Sequence, residues 1–283
     1  MKKRFISIII YINILLTIYA QEFSPFSFSR MNQVYDYNTG LNYELIDSYR
    51  NLVNRTLIKK VIIRVTKTDD KQYYEQEYEN GLEVFEVSRV HDITKTKYFY
   101  DEQNRLTFIG DDFRYNYISE TKREIYYQAI LQEKTEIIKK DDYIKIIHQN
   151  YTRKISTNEI IKDGIREEEF FYKNNKLTKY VEKSWNRNGV KSKYEKELLF
   201  YYNSNGQLEK IIDGYGEKDI RYITEIKYEN NYMIQIDRID LRENTSTKVL
   251  FLDYDQYGNW TKSEQYFDDK LEETVTREII YNW

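Results

Sequence analysis

Apolar and polar residues alternate along most of this chain. In Arg221 to Tyr228 one set of alternate positions holds Tyr222, Thr224, Ile226 and Tyr228, and the other holds Arg221, Ile223, Glu225 and Lys227. Successive side chains on a strand point to opposite faces, so a period of two predicts a strand with one apolar-aromatic face and one charged face. An antiparallel sheet that buries one face and wets the other has this signature. The sorting blurs at the C-terminus, where Arg277 shares a face with Val275, Ile279 and Tyr281.

The strands are punctuated by a repeat. An aromatic strand ends in tyrosine, a polar turn follows, and a large apolar residue opens the next strand. The clearest copies are Tyr202-Asn203-Ser204-Asn205-Gly206-Gln207-Leu208, Tyr100-Asp101-Glu102-Gln103-Asn104-Arg105-Leu106 and Tyr254-Asp255-Gln256-Tyr257-Gly258-Asn259-Trp260. Gly206, Asn104 and Gly258 stand four residues after the tyrosine. Gly81, Asn175 and Asn231 stand three after Tyr78, Tyr172 and Tyr228. A tight hairpin needs a residue at positive φ, which Gly adopts freely and Asn tolerates, so these six positions are assigned to repeat turns. Steps of 26 to 30 residues separate Tyr172, Tyr202, Tyr228, Tyr254 and Tyr281. Two strands and two turns fill such a period. The second turn of each period, as at Gly214 to Asp219 and Asp268 to Lys270, reads as looser and more charged. The expected fold is therefore all-β, an antiparallel meander of tyrosine-ended hairpins over residues 57–283. Whether it forms a curled sheet, a solenoid or an open barrel-like wrap is not decided by the pattern.

The first residues depart from this rhythm. Lys2, Lys3 and Arg4 precede an apolar run from Phe5 to Tyr19, and small Ala20 follows, as in a secretory signal peptide over residues 1–20. Fifteen apolar residues are fewer than the roughly 20 that span a bilayer, which favours a cleaved segment over an anchor, and with no later stretch apolar enough, no membrane span is expected after cleavage. In the lead-in at residues 21–56, Leu41, Leu45, Ile46, Tyr49 and Leu52 fall at helical spacing, which predicts a short amphipathic helix over 41–55.

Composition narrows the function classes. Loss of the three N-terminal cations takes the net charge from −3 to −6. A chain of that balance lacks the basic surface that nucleic-acid binding requires. There is no cysteine, which removes thiol catalysis, thiolate zinc sites and lipidation at cysteine. Thirty tyrosines against one proline, Pro25, suit pleated strands and not disorder.

Tyr100-Asp101-x-x-Asn104-Arg105-Leu106-Thr107 and Tyr254-Asp255-x-x-Gly258-Asn259-Trp260-Thr261 resemble the tyrosine-aspartate (YD, Rhs-type) repeat. Gly-Asn-Trp-Thr-Lys at 258–262 also resembles endings seen in exported repeat proteins of Bacteroidetes and spirochaetes. The resemblance covers roughly residues 70–283 and implies a β-hairpin repeat architecture without an activity. The toxin shell formed by large YD-repeat proteins is not implied for a chain this short.

Candidate chemistry is sparse. Asp253, Asp255, Gly258 and Glu264 match four positions of a calcium loop, but strand flanks and the repeat itself account for them. Asp111-Asp112, Asp141-Asp142 and Asp268-Asp269 read as turn acids facing water, and His91 and His148 as strand residues. No nucleophile elbow, phosphate loop or metalloprotease helix occurs. No cofactor or metal and no catalytic residue is expected. Trp260 and Trp283 fall within the repeat pattern. Trp185, beside Asn186-Arg187-Asn188-Gly189, stands apart from the tyrosine series and is the single candidate for surface contact. The expected function is that of an exported, non-enzymatic cell-envelope protein, periplasmic, outer-surface or secreted, acting as scaffold or binding surface for an envelope protein or glycan. The alternatives are a carbohydrate- or peptidoglycan-binding module using exposed aromatics, and a periplasmic carrier of lipid or lipoprotein.

Overall fold

A computed structural model describes residues 57–282 apart from 68–70, 90–92, 155–156, 175, 194 and 216–218. The signal segment 1–20, the lead-in 21–56 with its expected helix at 41–55, His91, Asn175 and Trp283 lie outside the described residues. Those described form strands and turns without an α-helix.

Nine hairpins supply eighteen strands. They run β1 (Ile58–Lys67), β2 (Lys71–Glu79), β3 (Leu82–Arg89), β4 (Ile93–Tyr100), β5 (Leu106–Ile109) and β6 (Phe113–Ser119). Then come β7 (Lys122–Tyr127), β8 (Ile130–Lys140), β9 (Tyr143–Arg153), β10 (Ile160–Lys173), β11 (Lys176–Asn186) and β12 (Lys196–Tyr202). The last six are β13 (Leu208–Gly214), β14 (Ile220–Glu229), β15 (Tyr232–Asp240), β16 (Thr245–Tyr254), β17 (Trp260–Phe267) and β18 (Lys270–Tyr281). Each strand pairs antiparallel with its neighbours in sequence, and β1 also pairs with β18, from Ile58↔Tyr281 to Lys67↔Glu273. The meander thus closes into an 18-stranded barrel. Neither the open wrap nor the solenoid forms, because full closure leaves no edge strand with unpaired backbone groups.

Closure assigns the faces. Among the described residues nothing lies outside the ring of strands, so the face whose side chains lose their exposure all round is the inner one. Val61, Tyr115, Ile146, Leu198, Ile236 and Val275 are buried on six strands spread around the barrel. On β14 the inward set includes Thr224 and Ile226, while Glu225 and Lys227 are exposed on the outward set. The outward mid-strand positions carry a lattice of cross-strand ion pairs. Lys60–Glu75, Lys134–Glu124, Lys145–Glu167, Lys183–Glu169 and Lys227–Asp237 close at 2.5, 2.9, 2.7, 2.8 and 2.8 Å. Exposed outward apolar residues such as Phe99, Tyr201 and Leu252 stand within four residues of a turn, toward the rim.

The tyrosines mark bulges. The register slips by one residue immediately before Tyr78, Tyr100, Tyr172, Tyr202, Tyr228 and Tyr254. A bulge next to a turn bends the strand and re-aims its side chain. Four of these re-aimed hydroxyls reach the neighbouring hairpin. Tyr100 donates to the Glu83 carbonyl, Tyr202 to that of Leu177 and Tyr228 to that of Leu208, at 2.8, 2.8 and 3.0 Å. Tyr254 donates in the same way to the Met233 carbonyl. Glu83, Leu177, Leu208 and Met233 lie at or next to the start of the strand after the preceding tyrosine's turn. One rim is consequently stitched hairpin to hairpin. Tyr281 continues the series, bonding to the Asp255 carboxylate.

Candidate functional site

The turn residues sit where the backbone needs them. Gly81, Asn104, Gly206, Asn231 and Gly258 have φ of 81, 59, 82, 69 and 86°. Asn80 and Asn230 are also at positive φ, so two-residue hairpins at 80–81 and 230–231 use both central positions, as a type I′ turn requires. In the longer turns the Oδ1 atoms of Asp101, Asn203 and Asp255 each accept two backbone N–H groups, two and four residues on. Asp255 also receives Tyr281, which commits it to the fold. Asp253 is exposed, and Glu264 accepts from the Tyr266 hydroxyl. Among the described residues no three or more His, Cys, Asp or Glu side chains gather as a metal-binding group. The turn at Asp268-Asp269, expected to be loose, is tight: both residues are at positive φ, 45 and 62°, directly joining β17 to β18.

Sequence reasoning missed the most concentrated chemistry. On the inner face of β7 to β11, charged side chains occupy positions that the alternation reserves for apolar ones. His148 of β9 is 1% exposed and lies between two carboxylates, with Nε2 2.9 Å from Glu168 Oε2 and Nδ1 3.0 Å from Glu133 Oε1. The first contact is a well-formed hydrogen bond. The second is close but poorly aligned, and acts as an ion pair. Glu168 Oε1 accepts from Tyr180 at 3.0 Å, and Tyr180 bridges on to Glu182 at 2.9 Å. Glu133 accepts from Thr135 at 2.7 Å.

The charges are mutually supporting. Burial opposes ionisation of Glu133, yet the bonds from His148 and Thr135 outweigh it and hold the carboxyl at about 2. Burial likewise opposes the charge on His148, but Glu133 and Glu168 raise its pKa above the ordinary value. Glu168 is lowered, since His148 and Arg166 overcome its burial. Glu182, farther from the imidazole, is raised by burial. The cluster therefore favours the imidazolium form of His148, flanked by two carboxylates. Glu168 is 0% exposed, so no substrate atom reaches its centre. The available signal was Arg166-x-Glu168-x-Phe170, charge in register with an apolar position.

A second inward set joins Lys196, Asp213 and Arg238. The Arg238 guanidinium lies 4.0 Å from the centre of the Tyr222 ring. Burial lowers the Lys196 pKa and raises that of Asp213. Arg277, the cation that blurred the C-terminal pattern, lies inward with its guanidinium 4.3 Å from the Trp260 ring centre. Trp260 is buried there and unavailable to a ligand.

Trp185 is placed differently. It is half-buried on the outer wall opposite Ile165, at the rim away from the tyrosine turns. Its turn nonetheless copies the repeat geometry: Asn186 Oδ1 accepts from Asn188 and Val190 at 3.0 Å each, and Gly189 has φ of 76°. Trp185 thus occupies the tyrosine's place in a copy of the turn on the opposite rim. Beside it opens a pocket of about 180 Å³, whose lining includes Lys162, Ile165, Glu167, Trp185 and Arg187.

No family model matches this chain, and no curated protein matches it. The resemblance to YD repeats accordingly stands on the two motifs alone. A porin-like protein from Bacteroides vulgatus matches 80% of this chain and 99% of its own, at 12% identity and a TM-score of 0.32. A porin-like protein from Bacteroides uniformis matches 80% and 97%, at 12% identity and a TM-score of 0.30. Likeness this slight says nothing about function.

Proposed function

We propose that this protein is an exported, non-enzymatic barrel that stays in the aqueous phase of or outside the envelope and serves as a scaffold or binding surface. The outer wall carries this reading. A membrane-spanning barrel turns an apolar band of roughly 25 Å toward lipid, with aromatic girdles above and below. Here the mid-height outward positions hold Lys–Glu pairs, and burying such charges against hydrocarbon costs about 2–4 kcal/mol per cation at the midplane. The basic-apolar start at residues 1–20 supports export. A scaffold or binding role follows from the site chemistry, because the charged cluster at His148 is sealed from substrate.

Cell fractionation of the tagged full chain tests the proposal. The barrel should leave the cells with the exported soluble fraction, without detergent, and should produce no conductance in a planar bilayer. Recovery only from detergent-solubilised outer membrane, with channel conductance, would overturn it.

A further inference from the structure

We infer that the pocket beside Trp185 is a binding site for an acidic saccharide, stacked on the indole and held by Lys162 and Arg187. The inference rests on reading the barrel as a water-facing binding surface, and names the ligand class that surface takes.

Three observations converge on the pocket. The first is the indole itself. Trp260, the other described tryptophan, is buried against Phe251 and Arg277, and repeat tyrosines such as Tyr202 and Tyr228 commit their hydroxyls to the rim, while exposed rings such as Tyr201 also stand on the outer wall. Trp185 instead borders an open pocket on the outer wall. The flat apolar faces of pyranose rings pair with an indole for the same reason that aromatic rings do, large contact area at small entropic cost.

The second observation is charge. Many outward cations elsewhere are matched across strands by carboxylates, as Lys134 is by Glu124 and Lys227 by Asp237. Lys162 and Arg187 are both exposed, and neither has a hydrogen-bonding or ion-pairing partner among the described residues. Glu167, the anion in the lining, is committed to Lys145 at 2.7 Å. Lys191, whose ammonium lies 5.9 Å from the indole centre, is paired with Glu195. Among the described residues the pocket therefore holds two cations without a partner beside a stacking platform. A neutral sugar would leave both without counterion. A uronic acid or other carboxylated sugar supplies the missing anion, and Arg187 can meet it with two parallel N–H donors.

The third is the backbone that shapes the wall. A Cβ on Gly164 would lie 2.5 Å from the Trp185 carbonyl oxygen. Only glycine lets β10 approach β11 this closely, which sets the indole against Ile165. Gly189, at positive φ, closes the turn that carries Arg187, and both residues line the same pocket.

Isothermal titration with oligogalacturonate, hyaluronan oligosaccharides and muramic-acid-containing peptidoglycan fragments tests the assignment, with methyl-esterified oligogalacturonate as the uncharged match. At least one acidic ligand should bind, and its esterified or neutral counterpart about tenfold more weakly. Trp185→Ala and Arg187→Gln should each weaken binding about tenfold, the Arg187→Gln protein with a shallower salt dependence. Trp185→Phe keeps a ring in place and should retain most of the affinity, so the test survives if the alanine variant fails to fold. Absence of binding by every acidic ligand, equal binding of the ester, or wild-type affinity in Arg187→Gln would overturn the inference. Titration in detergent separates this outcome from failure of the aqueous-barrel reading, since a membrane-extracted barrel can still be assayed for the sugar.

Discussion

The tyrosine rim and the buried centre of β7 to β11 follow opposite rules. At the rim, one residue type recurs every 26 to 30 positions, and Tyr202, Tyr228 and Tyr254 in that series each make one bond from the hydroxyl to a carbonyl of the hairpin before it. The bonds are neutral, numerous and interchangeable. At the centre of β7 to β11, no residue repeats and every contact depends on its neighbours: Thr135, Glu133, His148, Glu168, Tyr180 and Glu182 form one continuous chain. The rim distributes its stabilisation over many weak links, whereas the cluster concentrates it where one loss strands several charges.

Breaking the cluster should have the largest effect. Glu168→Ala removes the carboxylate shared by His148 and Tyr180 and leaves the Arg166 charge facing a void. Stranding buried charge in this way costs about 3–5 kcal/mol. Urea denaturation should show the midpoint falling sharply at constant slope. A loss under about 1 kcal/mol would mean that the network relaxes to water, and that cluster and rim do not differ in kind.

The cluster should also give the barrel a pH signature that the rim lacks. His148 is raised in the folded state, so its contribution is complete below its unfolded value near 6.5 and fades as pH climbs through the folded value. Glu133 and Glu168 are lowered, so theirs is complete above about 4.5 and fades as pH falls, toward about 2 for Glu133. Glu182, raised by burial, instead loses stability as pH rises, beginning from the carboxylate range. The diagnostic window therefore lies above 6.5, where stability should decline with pH in the wild type and stay flatter in His148→Gln. Parallel profiles there would remove His148 from the account. The rim hydroxyls lie outside this range, since burial pushes Tyr172 and Tyr254 up to about 12.

On the rim, the expected losses are smaller and alike. Tyr228→Phe deletes the hydroxyl bonded to Leu208 and should cost about 1 kcal/mol, as should Tyr202→Phe. Tyr201→Phe, one residue away but exposed on the outer wall, should change nothing measurable. Thermal unfolding of the three proteins compares them directly. A Tyr201 effect equal to that of Tyr202 would show that ring packing, and not the hydroxyl, fastens the hairpins.

This contrast explains how much could be read from the sequence. Turns are local: Gly206 after Tyr202 needs only its own φ, so period and spacing revealed it. Strand faces are local as well, and Thr224 to Lys227 sort in the structure as the alternation predicts. Closure is not local, because the pairing of Ile58 with Tyr281 leaves no trace within either segment. The His148 cluster was hidden for the same reason, as its partners lie 15 and 20 residues away on separate strands. Trp185 was visible as an exception, but its unpaired cations depend on which charges face one another across β10 and β11.

The smallest effect tests whether turn chemistry alone limits the rim opposite the tyrosines. There the hairpin between β7 and β8 turns through Gln128 and Ala129, at φ of 46 and 64°, where the tyrosine rim uses Asn and Gly at positions such as 80–81. A Cβ in that conformation costs about 1–2 kcal/mol, part of which a glycine returns as extra freedom in the unfolded chain. Ala129→Gly should therefore stabilise the barrel by about 0.5–1 kcal/mol. Gly258→Ala, the converse change on the tyrosine rim, should destabilise it by a similar amount, because φ there is 86° and the Tyr232 ring stands 3.3 Å from the added carbon. If Ala129→Gly lowers the melting temperature, the type I′ turn at 128–129 is held by its flanking strands, and local backbone preference is not what sets the two rims apart.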